Sequence, residues 1–126
     1  MPAQAALTLN TKVYAPRGTS NGIASWALVG DTTFGGGWST LTESVRGPNS
    51  NGVSRARFLL VVPKLAASDS ACSCTGEDIG KGRADISIDV PSTFTATERA
   101  DFCDRIQALI ANAVFDKAVA DLEGSW

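Results

Sequence analysis

The stretch Arg83-Ala-Asp-Ile-Ser-Ile-Asp-Val90 alternates without a break. At a period of two, Ala84, Ile86, Ile88 and Val90 fall on one face of a strand and Arg83, Asp85, Ser87 and Asp89 on the other. Such a strand needs a core on one side and water or a polar partner on the other, as in an antiparallel sheet with one solvated face. Pro91 then ends the ladder. Thr95-Ala-Thr-Glu98 follows as a capping box, in which hydroxyl and carboxylate each satisfy an orphan backbone donor at a helix start.

The preceding residues supply the rest of such a sheet. Residues 1–15 read as a hairpin, with Leu7, Leu9, Val13 and Tyr14 around a polar tip at Asn10 and Thr11. Residues 16–22 are a turn-rich connection ending in Asn21-Gly22, and residues 23–29 have the composition of a strand. Gly35, Gly36 and Gly37 make a flexible loop, because no Gly-Lys-Ser/Thr follows to complete a phosphate loop. Residues 38–46 alternate, with Thr40, Thr42, Ser44 and Arg46 opposite Leu41 and Val45. The turn residues of Gly47-Pro-Asn-Ser-Asn-Gly52 then send residues 54–65 back antiparallel. In that second strand Arg55, Arg57, Leu59 and Val61 share one face, Ala56, Phe58, Leu60 and Val62 share the other, and Pro63 marks the approaching end. Residues 66–80 are expected to form a polar loop carrying Cys72 and Cys74, of a length that is usually either functional or disordered.

After the Arg83–Val90 strand, apolar residues at three- and four-residue spacing predict a helix from about residue 96 to 112. A shorter helix runs from 114 to about 123 and is stopped by Gly124. The expected organisation is a single domain over residues 1–126: a hairpin over 1–15, a sheet over 22–93 containing the 66–80 loop, and two helices over 95–123. This is an α+β arrangement. The helices leave from the last strand, so they either fold back or reach across to another chain; a dimer that exchanges helices would bury both sheets.

Charge and composition narrow the function. The net charge is −2, yet residues 44–68 hold four basic side chains (Arg46, Arg55, Arg57, Lys64) and no acid, whereas residues 95–126 hold three basic against six acidic. The middle stretch could meet phosphate; equally, it could be a solvated basic face without a partner. There is no histidine, which removes Ser-His-Asp and Cys-His catalysis and the commonest transition-metal ligand. Asp85 and Asp89 are about 13 Å apart along a strand, beyond the roughly 5 to 9.5 Å of paired glycosidase carboxylates. Gly76-Glu-Asp-Ile-Gly-Lys-Gly82 is one residue short of a phosphate loop, ends in glycine where the magnesium-binding hydroxyl belongs, and leads into a strand. No enzyme, metal or cofactor is expected. Cys72 and Cys74 are too close in sequence to bridge each other without strain, and Cys103 sits in the apolar pattern of the first helix. Residues 1–4 lack a charged leader and no apolar run is long enough to span a bilayer, so a soluble cytoplasmic product is expected.

With these elements placed, the chain resembles the coat proteins of the single-stranded RNA bacteriophages, the levivirus and allolevivirus group. The resemblance is carried by Asn21-Gly-Ile-Ala-Ser-Trp26, Ser44-Val-Arg46 before a short turn, Val62-Pro-Lys-Leu65, and Ala84-Asp-Ile86 leading through Thr95-Ala-Thr-Glu98 to Phe102. It implies an N-terminal β-hairpin plus a five-stranded antiparallel sheet and two C-terminal helices that interlock in a homodimer, the building block of an icosahedral T=3 shell around the genomic RNA. It further implies binding of an RNA operator hairpin that represses replicase translation, a maturation protein as partner, no membrane, and a virion assembled in the bacterial cytoplasm. Residue by residue, it places an adenine-binding pocket on Ile23, Thr42, Ser44, Arg57 and Leu59, with Thr40 beside them, and phosphate contacts on Arg46 and Arg55. Leu59 stands where relatives usually carry a basic residue, Arg83 where a tyrosine commonly stacks on a base, and Asp85 where a short polar side chain reads the hairpin. Cys72 and Cys74 fall in a loop where several relatives crosslink neighbouring subunits; reduced thiols are the other reading. The alternative function is a dimeric RNA-binding module that forms no shell.

Overall fold

A computed structural model describes residues 4–28, 39–65 and 78–125. The elements are β1 (Leu7–Leu9), β2 (Lys12–Ser20), β3 (Ile23–Leu28), β4 (Thr40–Arg46), β5 (Val53–Leu65), β6 (Asp78–Pro91), α1 (Ala96–Ile110) and α2 (Ala113–Ala120). The strands form one six-stranded sheet in chain order, and every register from β1 to β5 is antiparallel. The N-terminal hairpin is continuous with the sheet, because its second strand is also the first of the five strands β2 to β6.

The turns take positive φ at Asn10, Asn21 and Gly22, which tolerate it, and at Thr11, where a β-branched residue is strained. Asn10 and Thr11 adopt φ of 49° and 66° between the paired Leu9 and Lys12, and Asn21 and Gly22 adopt 53° and 77° between Ser20 and Ile23. Both are two-residue hairpins whose backbone twist matches that of the flanking strands. Between β4 and β5 the Asn49 carboxamide accepts from the backbone N–H of Asn51 at 2.9 Å and of Val53 at 3.1 Å, stapling the loop.

Two prolines do less to break strands than the sequence suggests. Residues 16–20 belong to β2, because a register shift between Pro16 and Gly18 absorbs the proline and Gly18 takes φ +100°. β5 runs through Pro63 to Leu65. The β4 ladder already ends at Thr40 opposite Val61, so it loses no donor to Pro63.

The sheet unit, residues 1–89, has its core on one face. Tyr14, Trp26 and Leu41 are 4%, 5% and 8% exposed, with Leu9, Ala24, Leu28 and Leu60 packed against them. The polar atoms of this core are paired. The Trp26 indole N–H donates to the Ala5 carbonyl at 2.8 Å, and Ser39, itself buried, links the Tyr14 hydroxyl at 2.7 Å to the Val61 carbonyl at 2.9 Å.

Residues 90–126 form a second unit. Thr95 caps α1, its hydroxyl oxygen accepting from the Glu98 N–H at 3.2 Å. The glutamate completes the box differently from expectation: its carboxylate accepts from that same hydroxyl at 3.2 Å. Asn112, expected inside the first helix, instead caps α2 through its carboxamide on the Val114 N–H at 3.0 Å. α2 ends at Ala120, four residues before Gly124, because the Lys117 carbonyl accepts from the N–H groups of both Asp121 and Glu123 and Leu122 turns left-handed at φ 57°. Phe94 and Phe102 meet edge to face at 6.1 Å. No residue of either helix is buried, and Cys103, expected in the core, is exposed.

Candidate nucleic-acid interface

Antiparallel pairing carries a side-chain face across strands, because directly opposed residues point the same way. On β3 and β4, Ile23 opposes Ser44, Ser25 opposes Thr42 and Ala27 opposes Thr40. On β4 and β5, Thr42 opposes Leu59, Ser44 opposes Arg57 and Arg46 opposes Arg55. Ile23, Thr40, Thr42, Ser44, Arg46, Arg55, Arg57 and Leu59 therefore form one continuous surface. It lies opposite the face of Trp26, Leu41 and Leu60. All eight are at least partly open to solvent.

β6 joins this surface through two ion pairs. Arg55 grips Asp89 with Nε to Oδ1 at 2.7 Å and Nη2 to Oδ2 at 3.2 Å; Arg57 grips Asp85 with Nε to Oδ1 at 2.9 Å and Nη2 to Oδ2 at 2.6 Å. Both are two-point contacts of a planar fork on a planar carboxylate. Since Asp85 and Asp89 lie on this face, alternation puts Arg83 and Ser87 there as well. β6 runs antiparallel to β5: Asp85 and Asp89 reach Arg57 and Arg55 in reverse order, and a Cβ at Gly82 would lie 3.6 Å from the Val62 carbonyl.

The pairs set the electrostatics of the site. The hydrogen bond from Arg57, assisted by the charges of Arg57 and Arg83, holds the Asp85 carboxyl below its ordinary range. The hydrogen bond and charge of Arg55 do the same to Asp89. Both guanidiniums are raised in turn, by their hydrogen bonds first and by the carboxylate charge second. Arg46 and Arg83 make no ion pair among the described residues. The face thus presents two unpaired guanidiniums flanking two that already hold an anion, beside a patch of hydroxyls from Thr40, Thr42 and Ser44. Such a surface can hold phosphate through its cations and hydrogen-bond nucleobases through its hydroxyls.

All ten sequence-derived RNA positions, Arg83 and Asp85 included, come together on this face. Cys72 and Cys74 lie outside the described residues, as do Val29, Trp38 and the three-glycine loop. Asp89, placed by the sequence on the polar face of its strand and weighed there only as half of an acid/base pair, was not among the expected RNA positions, although it holds Arg55. Its signal was available: it alternates with Asp85 on a strand that neighbours the basic one. Among the described residues no cluster could hold a metal ion, and no helix is long and apolar enough to cross a membrane.

The chain matches the family described as levivirus coat protein over residues 3–126. No curated protein matches it. Its fold is similar to a virus-like particle of Beihai levi-like virus 21, with TM-score 0.86, 18% identity and 99% of each chain covered. It is also similar to a virus-like particle of bacteriophage ESE058, with TM-score 0.81 and 15% identity, covering 99% of this chain and 100% of the other. A third likeness is to the bacteriophage GA protein capsid, with TM-score 0.78, 16% identity and 95% of each chain covered.

Proposed function

This chain belongs to the levivirus coat protein family, and we propose that it acts by pairing into helix-exchanged dimers, closing them into an icosahedral T=3 shell, and binding RNA on the sheet's polar face. It is a structural protein of the viral capsid and not an enzyme. On this proposal residues 1–126 work as one coat-protein domain. The ligand is the single-stranded genomic RNA, and a hairpin within it whose capture represses replicase translation. The remaining partner is a maturation protein, and assembly takes place in the bacterial host.

The observation that carries the RNA reading is the cross-strand register. It assembles hydroxyls from Thr40, Thr42 and Ser44 with guanidiniums from Arg46, Arg55 and Arg57 on one solvent-facing surface. Arg46 and Arg55 serve phosphate, the hydroxyls with Ile23 and Leu59 surround a base, and Arg83 offers a planar cation for stacking where relatives stack a tyrosine. Self-assembly is supported by the similar folds solved as virus-like particles. Cys72 and Cys74 are proposed to crosslink neighbouring subunits, which predicts oligomeric bands on non-reducing gels of purified particles that collapse to monomer on reduction.

Expression followed by electron microscopy tests the shell: closed particles of uniform size are expected, and dispersed protein without particles would count against it. For the RNA face, Arg46→Ala should flatten the dependence of log affinity on log salt by about 0.7 for single-stranded RNA. A slope unchanged in both Arg46→Ala and Arg55→Ala would remove the assignment.

A further inference from the structure

Two of the four arginines on the polar face are already occupied. A guanidinium offers phosphate and carboxylate the same two-point fork, and on Arg55 and Arg57 that fork is filled by Asp89 and Asp85. The pairs are poor candidates for holding the fold together. Their side chains are 42–60% exposed, where water and salt screen the attraction. They are nonetheless aligned as well as buried pairs often are, and they lie where a nucleic-acid backbone would run. Arg46 directly opposes Arg55 across the β4–β5 ladder, a like-charge juxtaposition. Without Asp85 and Asp89 the face would be a bare cationic strip, attractive to any phosphate.

Resting on the proposed RNA reading, we infer that Asp89 and Asp85 are built-in competitors for phosphate, occupying the forks of Arg55 and Arg57 so that RNA must displace a carboxylate to use either arginine. A displaced carboxylate remains beside the incoming phosphate and repels it. RNA that gains nothing further from the base-sized hydroxyl patch is therefore held only by the two unpaired arginines. RNA that fits the patch offsets the displacement and engages all four. The aspartates convert a general polyanion surface into a selective one by penalising the wrong ligand.

The test measures binding of the full chain to a short unstructured single-stranded RNA of mixed sequence, across a range of salt. Asp89→Asn preserves shape and removes the competing charge. It should tighten binding and steepen the log affinity–log salt slope by about 0.7, and Asp85→Asn/Asp89→Asn by about 1.4. A fourfold rise in salt then costs roughly 2.6 times more affinity than in the wild type for the single variant, and roughly 7 times more for the double. Glu43→Gln makes the same change in net charge on the opposite face of the sheet, where Glu43 pairs with Ala24 and Phe58, and should leave the slope alone. If the slope stays at its wild-type value in both clasp variants while Arg46→Ala flattens it, the competition is absent and the RNA face stands. If Glu43→Gln tightens binding as much as Asp89→Asn, bulk charge is the cause and the inference is overturned. If neither Arg46→Ala nor Arg55→Ala alters RNA binding, the RNA face itself is wrong and the inference falls with it.

Discussion

Ser39 occupies a position where one hydroxyl serves two partners. Its proton goes to the Val61 carbonyl, so the Tyr14 hydroxyl must be the donor between the two side chains. Ser39→Ala strands a buried donor and weakens a buried acceptor, and should cost about 1–3 kcal/mol; Tyr14→Phe removes only a donor and should cost about 0.5–1.5 kcal/mol. Urea titration of both variants checks the ordering, which should be Ser39→Ala the more damaging. The clasp aspartates make a second prediction at this scale. Their carboxyl pKa values are lower in the folded chain than the ordinary value of about 4. The small stability that such exposed, screened pairs contribute is thus present above about pH 4 and lost as pH falls through the depressed folded values. Asp85→Asn/Asp89→Asn should flatten that acid limb, read as the urea midpoint followed from pH 6 to pH 2.5, and leave its shape near neutrality unchanged. Alternation grouped Arg55 with Arg57 on one strand and the turn at residues 47–52 implied the pairing that sets Arg46 beside them, whereas Asp85 joined that face in the sequence reading only through the family resemblance. Which carboxylate meets which guanidinium was out of reach. That depends on the β5–β6 register, and a slip of one residue would carry Asp85 and Asp89 to the apolar side.

At the scale of elements, boundaries were read best where a local chemical device sets them. Asn21-Gly22 forms its hairpin and Thr95 caps its helix because each residue satisfies its geometry within a few positions. Thr95→Ala should destabilise the helical unit by about 0.5–2 kcal/mol, while Glu98→Gln, which still offers an oxygen to the hydroxyl, should cost far less. Amide hydrogen exchange across residues 96–100 would separate the two. Boundaries misread from sequence were those a distant partner decides. Pro63 looks like a strand end, yet it sits past the end of its β4 neighbour and costs that ladder no donor. Gly124 looks like a helix stop, yet the chain turns earlier, at Leu122, with the Lys117 carbonyl collecting the freed N–H groups. Residue type alone does not reveal such trades.

Among the described residues, the helices and the sheet each keep apolar side chains open to solvent. Leu109 and Val119 on the helices are 59% and 60% exposed, and Val62 and Ile86 on the sheet are 50% and 39% exposed. Exposed apolar area of this kind marks an association surface, and it is the ground for proposing the helix-exchanged dimer. Sedimentation at micromolar concentration should find dimers or larger species; a folded monomer persisting there would contradict the proposal. The sequence conveyed the order of elements, and the family resemblance only the expectation of a dimer, because an amphipathic helix looks the same whether its cover lies in its own chain or in another. The sheet has one further property of consequence. Its spatial order from β1 to β6 is the order of synthesis, so each strand emerging from a ribosome finds its neighbour already made. The sheet can grow by adding strands at one edge, with short loop closures at the two-residue turns and none of the long-range crossovers that slow most all-β topologies. Nascent chains long enough for Leu65 to clear the ribosome should already hold the β1–β5 ladder, before β6 and the two helices have emerged.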